Sequence, residues 1–176
     1  MRKTIVYIAM SVDGYIADVV GGVSWLGGEA QDHPGDQGYG ALMARIDTIV
    51  MGMRTYRQIV TELSPGCWVY PGKRTYVVTR SPLRGEPEVA FTSESPAALI
   101  DRLKEEPGGD IWICGGAQIV RALAAANRVD EYQLSVIPVL LGGGVRLFGG
   151  EMPALPLHLA QVNEENGIVR ATYVRR

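Results

Sequence analysis

The chain has 176 residues, and 17 Lys+Arg against 19 Asp+Glu give a formal net charge of −2. At roughly 100–200 residues per domain, a single domain over 1–176 with a sizeable core is expected. The 3 Lys and 14 Arg are spread along the chain, which argues against a nucleic-acid binder with its basic stripe.

Cys67 and Cys114 lie 47 positions apart, forming neither a C-x-x-C motif nor a disulfide framework. A reducing, cytoplasmic compartment is the expectation. His33 and His158 have no Cys or His nearby, so no metal site is expected. Met1-Arg2-Lys3 leads into only seven apolar-leaning residues, too few for a signal peptide, and no run approaches a membrane span.

Thr4 to Met10 is a nearly continuous apolar run that stops at Asp13-Gly14, a buried strand ending in a turn. Residues 18–38 are rich in Gly, Asp and Pro and predict a long loop of the kind that covers a site. A helix over 36–45 is expected with Asp36 as its N-cap. Asp47 to Gly52 predicts a second buried strand, followed by a short helix over 54–61. Arg74–Thr79 and Val89–Thr92 predict two more strands. Ser95-Pro96 starts a helix, because Ser caps and Pro fits a first position that needs no N–H; it should run to Glu105. Asp110–Cys114 is a strand, Gly115-Gly116 a turn, and 117–126 a helix. Val129–Val136 and the segments 157–163 and 167–175 read as strands, the last two joined at Asn166-Gly167 as a hairpin. Strand–helix alternation followed by a strand-rich end predicts an α/β fold, mostly parallel with an antiparallel edge.

Four places could carry chemistry. Two share one design, in which a buried strand ends, the chain turns at Gly, and a helix begins. They are Gly52-Met53-Arg54-Thr55 and Gly115-Gly116-Ala117-Gln118-Ile119. Ligands of open α/β sheets bind at the carboxyl ends of strands, and helix starts expose N–H groups that suit phosphate. A capped helix with a solvated Arg, and a tight turn, are the plain alternatives. Thr79-Arg80-Ser81 offers a cation and two hydroxyls, or an exposed turn. In Ala9–Ala17, Ser11 and Asp13 could meet a polar substrate, or Asp13 could simply close a turn before Gly14. Trp25 could stack on a planar ring or anchor its loop. The dinucleotide fingerprint G-x-G-x-x-G is absent; Gly142-Gly143-Gly144 comes nearest, with Leu147 where the last Gly would stand.

In this order, Ala9–Ala17, Asp47–Tyr56, Ile113–Ile119 and Val129–Phe148 resemble the dihydrofolate reductase-like superfamily. Within it they are most similar to the reductase domain of bifunctional riboflavin-biosynthesis proteins and its small stand-alone relatives. The resemblance implies a three-layer α/β fold around a mostly parallel sheet of about eight strands with an antiparallel C-terminal edge. It implies NADPH as hydride donor and an activity like that of 5-amino-6-(5-phosphoribosylamino)uracil reductase, on a small heterocyclic or ribosylamino-pyrimidine substrate. Ala9 and Ile16 would flank the nicotinamide. Gly52, Arg54 and Thr55 would meet phosphate, Thr79, Arg80 and Ser81 the adenosine ribose and its 2′-phosphate, and Gly115, Gly116, Ala117, Gln118 and Ile119 would line the cleft. Ser11, Asp13 and Trp25 would face substrate, with the proton coming from water or Asp13, or else from Asp36. Family members are commonly dimers, so a homodimer is expected. Met53 stands where the family usually has Arg, and Ser24 where small relatives often have Asp before the loop Trp. A pterin reductase and a non-catalytic nucleotide-binding module are the competing readings.

Overall fold

Apolar side chains on both faces of six short segments drive this chain into a parallel sheet, since strands of that kind must be covered on both sides. The computed structural model describes residues 1–30, 32, 33, 35, 38–81 and 83–176. The strands are β1 (Thr4–Ser11), β2 (Tyr15–Ala17), β3 (Ile46–Gly52), β4 (Arg74–Val78), β5 (Val89–Thr92), β6 (Asp110–Gly115), β7 (Glu131–Ile137), β8 (Val145–Arg146), β9 (Leu157–Glu165) and β10 (Ile168–Arg175). The helices are α1 (Tyr39–Arg45), α2 (Met53–Gln58), α3 (Pro96–Glu105) and α4 (Ala117–Ala125), with one π-helical turn, Ile59–Leu63, continuing α2.

The main sheet runs β5-β4-β3-β6-β1-β7-β10-β9. Its first six strands are parallel, and β10 joins β7 and β9 antiparallel. This is the eight-stranded, mostly parallel sheet with an antiparallel C-terminal edge. Leu99, Ile100 and Leu103 of α3 and Ile119, Val120 and Leu123 of α4 cover one face, packed with Val6, Val50, Ile111 and Ile113. Leu42 of α1 and Tyr56 of α2 cover the other, packed with Ile5, Ile49, Met51 and Trp112. Alternate residues of each strand serve opposite layers, as the period of two requires.

Ser95 caps α3 by accepting from the Ala98 N–H at 3.3 Å, with Pro96 as first helical residue. Asn166 (φ 55°) and Gly167 (φ 75°) turn the β9–β10 hairpin, both in the left-handed region a primed turn needs. The first helix departs from expectation. It starts at Tyr39 after Gly38, whose φ of 79° suits Gly, and not at Asp36, which lies outside the described residues. The expected helix over 54–61 is α2 plus the π turn. The ribbon of β2 with β8 was absent from the sequence reading.

Because β1, β3, β4, β6 and β7 are parallel, their carboxyl ends share one edge. The opposite edge is a band of paired charge. Arg2, only 5% exposed, bonds the carbonyls of Gly109 and Leu103, the Thr48 hydroxyl and Asp47. Arg45 bridges Asp110 and Glu131, both at 3.0 Å. Lys104 and Arg175 share Asp130.

Candidate active site

Register brings the two glycine turns together at the carboxyl edge. Met51 lies beside Gly115, so Gly52 and Gly116 follow as neighbours. A Cβ on Gly52 would sit 3.4 Å from Ile119 Cγ1 and 3.8 Å from the Gly116 nitrogen. A Cβ on Gly116 would sit 3.4 Å from Thr55 Oγ1. Gly115, with φ 125°, would carry its Cβ 3.7 Å from Ile8 Cδ1. The three glycines, Thr55 and Ile119 thus meet in one crevice where the carboxyl ends of β3 and β6 adjoin the starts of α2 and α4, with Ile8 of β1 alongside. Side chains at these glycines would fill it, which is how backbone is kept bare for a flat or phosphorylated ligand.

The other expected residues are distributed around this crevice. Ala9 is half-buried, and Ile16 packs against the core. Ala117 is buried, whereas Gln118 is exposed and points away from the core. Gly52 pairs with Val78, so Thr79, Arg80 and Ser81 continue the edge beside Met53. Thr79 Oγ1 accepts from the Ser81 N–H at 3.3 Å, which makes this segment a turn with the Arg80 side chain projecting free. Trp25 donates Nε1–H to the Gly22 carbonyl at 3.1 Å and so is tied to its own loop.

Ser11 and Asp13 have structural work. The Ser11 hydroxyl, fully buried, donates to Asp13 at 2.6 Å and accepts from the Tyr15 N–H at 2.9 Å. Asp13 also accepts from the backbone of Leu141 at 3.2 Å and Gly142 at 2.7 Å. The Ser11 hydrogen bond, helped by these amides, holds the Asp13 carboxyl down at about 2. A group with that value is ionised near neutral pH and has no proton to donate. Its observed task is to pin the β1–β2 turn to the Gly142-Gly143-Gly144 loop. Asp36, the other expected donor, lies outside the described residues.

Sequence reasoning missed two features here. Cys114, just before the turn, has its Sγ 3.7 Å from the Tyr70 hydroxyl. Burial pushes the Cys114 thiol up to about 11, partly offset by Tyr70, and raises Tyr70 as well, so both keep their protons at neutral pH. Both cysteines are free thiols. The second feature is an open cleft of about 530 Å³ between the loop residues Val20, Gly21 and Gly22 and the outer face of α2.

Charge is distributed unequally between the two edges. Arg2, Arg45, Lys104 and Arg175 are all paired at the amino edge. Among the described residues, the guanidinium groups of Arg54, Arg57 and Arg80 at the carboxyl edge make no hydrogen bond or ion pair with protein. Unpaired cations beside bare backbone are suited to an anionic ligand.

The family model described as RibD C-terminal domain matches residues 2–168. The chain belongs to that family. YwjB, an uncharacterized protein of Bacillus subtilis (strain 168), is 37% identical over 177 residues, covering 99% of this chain and 98% of that protein. YyaP of the same organism, also uncharacterized, is 28% identical over 182 residues, covering 98% of this chain and 94% of that one. A crystal structure from Shewanella sp. PV-4, of a protein provisionally assigned to riboflavin biosynthesis, superimposes with a TM-score of 0.86 at 30% identity over 99% of both chains. The bifunctional diaminohydroxyphosphoribosylaminopyrimidine deaminase/5-amino-6-(5-phosphoribosylamino)uracil reductase of Thermotoga maritima shares the fold, with a TM-score of 0.70 at 15% identity. The match covers 99% of this chain and 57% of that one. The RibD C-terminal domain thus spans most of this chain, in the α/β fold shared with these structures, and among the described residues no helix is long and apolar enough to cross a membrane.

Proposed function

We propose that this protein is an NADPH-dependent reductase of a small heterocyclic or ribosylamino-pyrimidine substrate. The observation that carries the reading is the bare crevice of Gly52, Gly115 and Gly116 with Thr55 and Ile119 beside it, while Arg54 follows Gly52 on α2 and Arg80 follows β4 at the same sheet edge. Its donor set fits a dinucleotide: backbone for close approach, a hydroxyl, and cations for phosphate. Gly115, Gly116 and Thr55 would hold the cofactor, with Arg54 and Arg80 answering its phosphates. NADPH supplies the hydride when bound. The chain's own contribution is placement. The bare backbone of the glycine turns leaves room for flat rings to lie against it. Asp13 ties the turn after β1 to the loop after β7.

The test follows the absorbance of NADPH when a ribosylamino-pyrimidine 5′-phosphate is added to the folded protein. Stoichiometric oxidation is the expected result. Saturable cofactor binding without oxidation by any pyrimidine, pterin or flavin precursor would replace the enzyme with a nucleotide-binding module, a reading that Met53 in the place of the family's Arg favours.

A further inference from the structure

The loop that leaves β2 is held firmly at two points and by little in between. The first point is α2. Asp18 Oδ1 accepts from the Val20 N–H at 2.9 Å and the Gly22 N–H at 2.8 Å, closing a tight turn, and Gln58 of α2 donates Nε2–H to the Gly21 carbonyl at 2.9 Å. The second point is Asn166, in the turn of the β9–β10 hairpin. Asn166 Oδ1 accepts from the Ala30 N–H at 2.8 Å, and its Nδ2–H donates to the Ala30 carbonyl at 2.9 Å. The Asn166 carbonyl accepts from the Glu29 N–H at 3.0 Å. One carboxamide thus serves both backbone groups of Ala30, as a neighbouring strand would. The approach is close enough that a Cβ on Gly28 would collide with the Asn166 carbonyl oxygen and carboxamide. Among the described residues, the hydrogen bonds of residues 23–28 stay within the loop, from Trp25 to the Gly22 carbonyl and from the Leu26 N–H to the Val23 carbonyl, both at 3.1 Å. None of residues 18–30 is buried, so once an anchor is released little else resists local opening.

The order of the sheet fixes what this span crosses. Its first anchor is on α2, which packs beside β3 and β4. Its second is at the carboxyl edge, because Val169 pairs with Val136 and Val136 with Met10, and the hairpin turn comes just before Val169. Between β3 and β10 the sheet holds β6, β1 and β7. Residues 22–29 therefore lead from one side of the Gly115-Gly116 turn to the other, on the face that α1 and α2 cover.

We propose that Asn166 is the latch of this strap: its pairing with Ala30 holds residues 18–30 across the mouth of the glycine crevice, and its release opens the crevice. Asn166 is a positioning residue that acts through the loop. The position asks for Asn twice. Its φ of 55° is one that Asn adopts more readily than most residues, and only a carboxamide offers Ala30 a donor and an acceptor together. The latch stands on the loop and the hairpin alone, whereas the passage of a nicotinamide cofactor beneath it rests on the reductase reading.

The experiment needs no ligand, because the chain carries its own probe and control. Cys114, part-exposed, directly precedes Gly115 on the face under the strap, and Cys67 is exposed elsewhere. Wild type, Asn166→Gly and Asn166→Asp are treated with methyl methanethiosulfonate at one pH, and mass spectrometry follows each thiol. Asn166→Gly keeps the left-handed turn and removes both side-chain bonds. Losing two such bonds predicts Cys114 labelling about tenfold faster, with Cys67 unchanged. Hydrogen exchange at Ala30 should accelerate alongside, while exchange in β7 stays as in wild type. Asn166→Asp should act in the same direction, since a carboxylate accepts from the Ala30 N–H but has no proton for the Ala30 carbonyl. Unchanged Cys114 labelling in Asn166→Gly overturns the latch. So does faster labelling matched by faster exchange in β7, which is global unfolding. With NADPH, release of the latch should raise association and dissociation rates together. If wild type binds no NADPH, the reductase reading fails and the thiol labelling still decides the latch.

Discussion

Gly116→Val is expected to weaken NADPH binding by at least about a hundredfold, equivalent to about 2.7 kcal/mol, while the protein stays folded. The position allows this separation. Gly116 has φ −80° and ψ −167°, extended backbone that valine adopts without strain. Its Cβ would meet Thr55 Oγ1 at 3.4 Å, and the two methyls beyond it would occupy the crevice. Gly115→Val would not discriminate, because φ 125° penalises any side chain and the fold would suffer along with the site. The check is a titration of Gly116→Val with NADPH next to a thermal melt. Unchanged affinity in a protein with an unchanged melt would remove the glycine crevice from the account.

Arg2→Ala should destabilise the fold by about 3 kcal/mol, the lower end for breaking a buried ion pair. Asp47, nearly half exposed, can partly rehydrate. The buried carbonyl of Leu103 and the part-buried carbonyl of Gly109 each lose a donor. For a chain of this size the loss corresponds to a melting temperature lower by roughly 6–12 °C. Acid dependence should change in a defined direction. Burial pushes the Asp47 carboxyl up, and hydrogen bonds from Thr48 and Gly109 together with the Arg2 guanidinium more than reverse this, so its folded value is lowered. Burial acts likewise on Asp130 and Glu131, which Lys104 and Arg45 overcome. Depressed carboxyls contribute stability above their unfolded value of about 4 and lose it as pH falls below that. Wild type should therefore melt progressively earlier below about pH 4, and Arg2→Ala should show a shallower acid limb. A melt of Arg2→Ala matching wild type at neutral pH would mean that the network carries no stability.

Most of the fold was legible in the sequence because its strands are buried on both faces. Runs such as Ile111-Trp112-Ile113-Cys114 cannot be exposed, and the punctuation at Ser95-Pro96 and Asn166-Gly167 is local chemistry. The glycine crevice was legible for the same reason, as two strand–Gly–helix turns in a parallel sheet must share an edge. The failures are all long-range. Tyr15 pairs with Arg146, and two- and three-residue strands leave no periodic signal. The Asp13 carboxylate is occupied by amides of Leu141 and Gly142, more than a hundred residues away, so the local pattern showed a turn and hid its partner. Arg57 was within reach, since it follows Arg54 by three positions on an expected helix, but nothing local shows which arginines find a carboxylate and which stay free.

The central claim is that the crevice at Gly115-Gly116 takes a nicotinamide dinucleotide. It is tested most directly by titrating the wild-type protein with NADPH and NADH in parallel and reading tryptophan fluorescence. Trp112, 5% exposed and three residues before the turn, is the natural reporter. The account predicts saturable binding of both, tighter for NADPH because Arg80 is free to meet the extra phosphate. A folded protein that binds neither, with equilibrium dialysis agreeing, would contradict it.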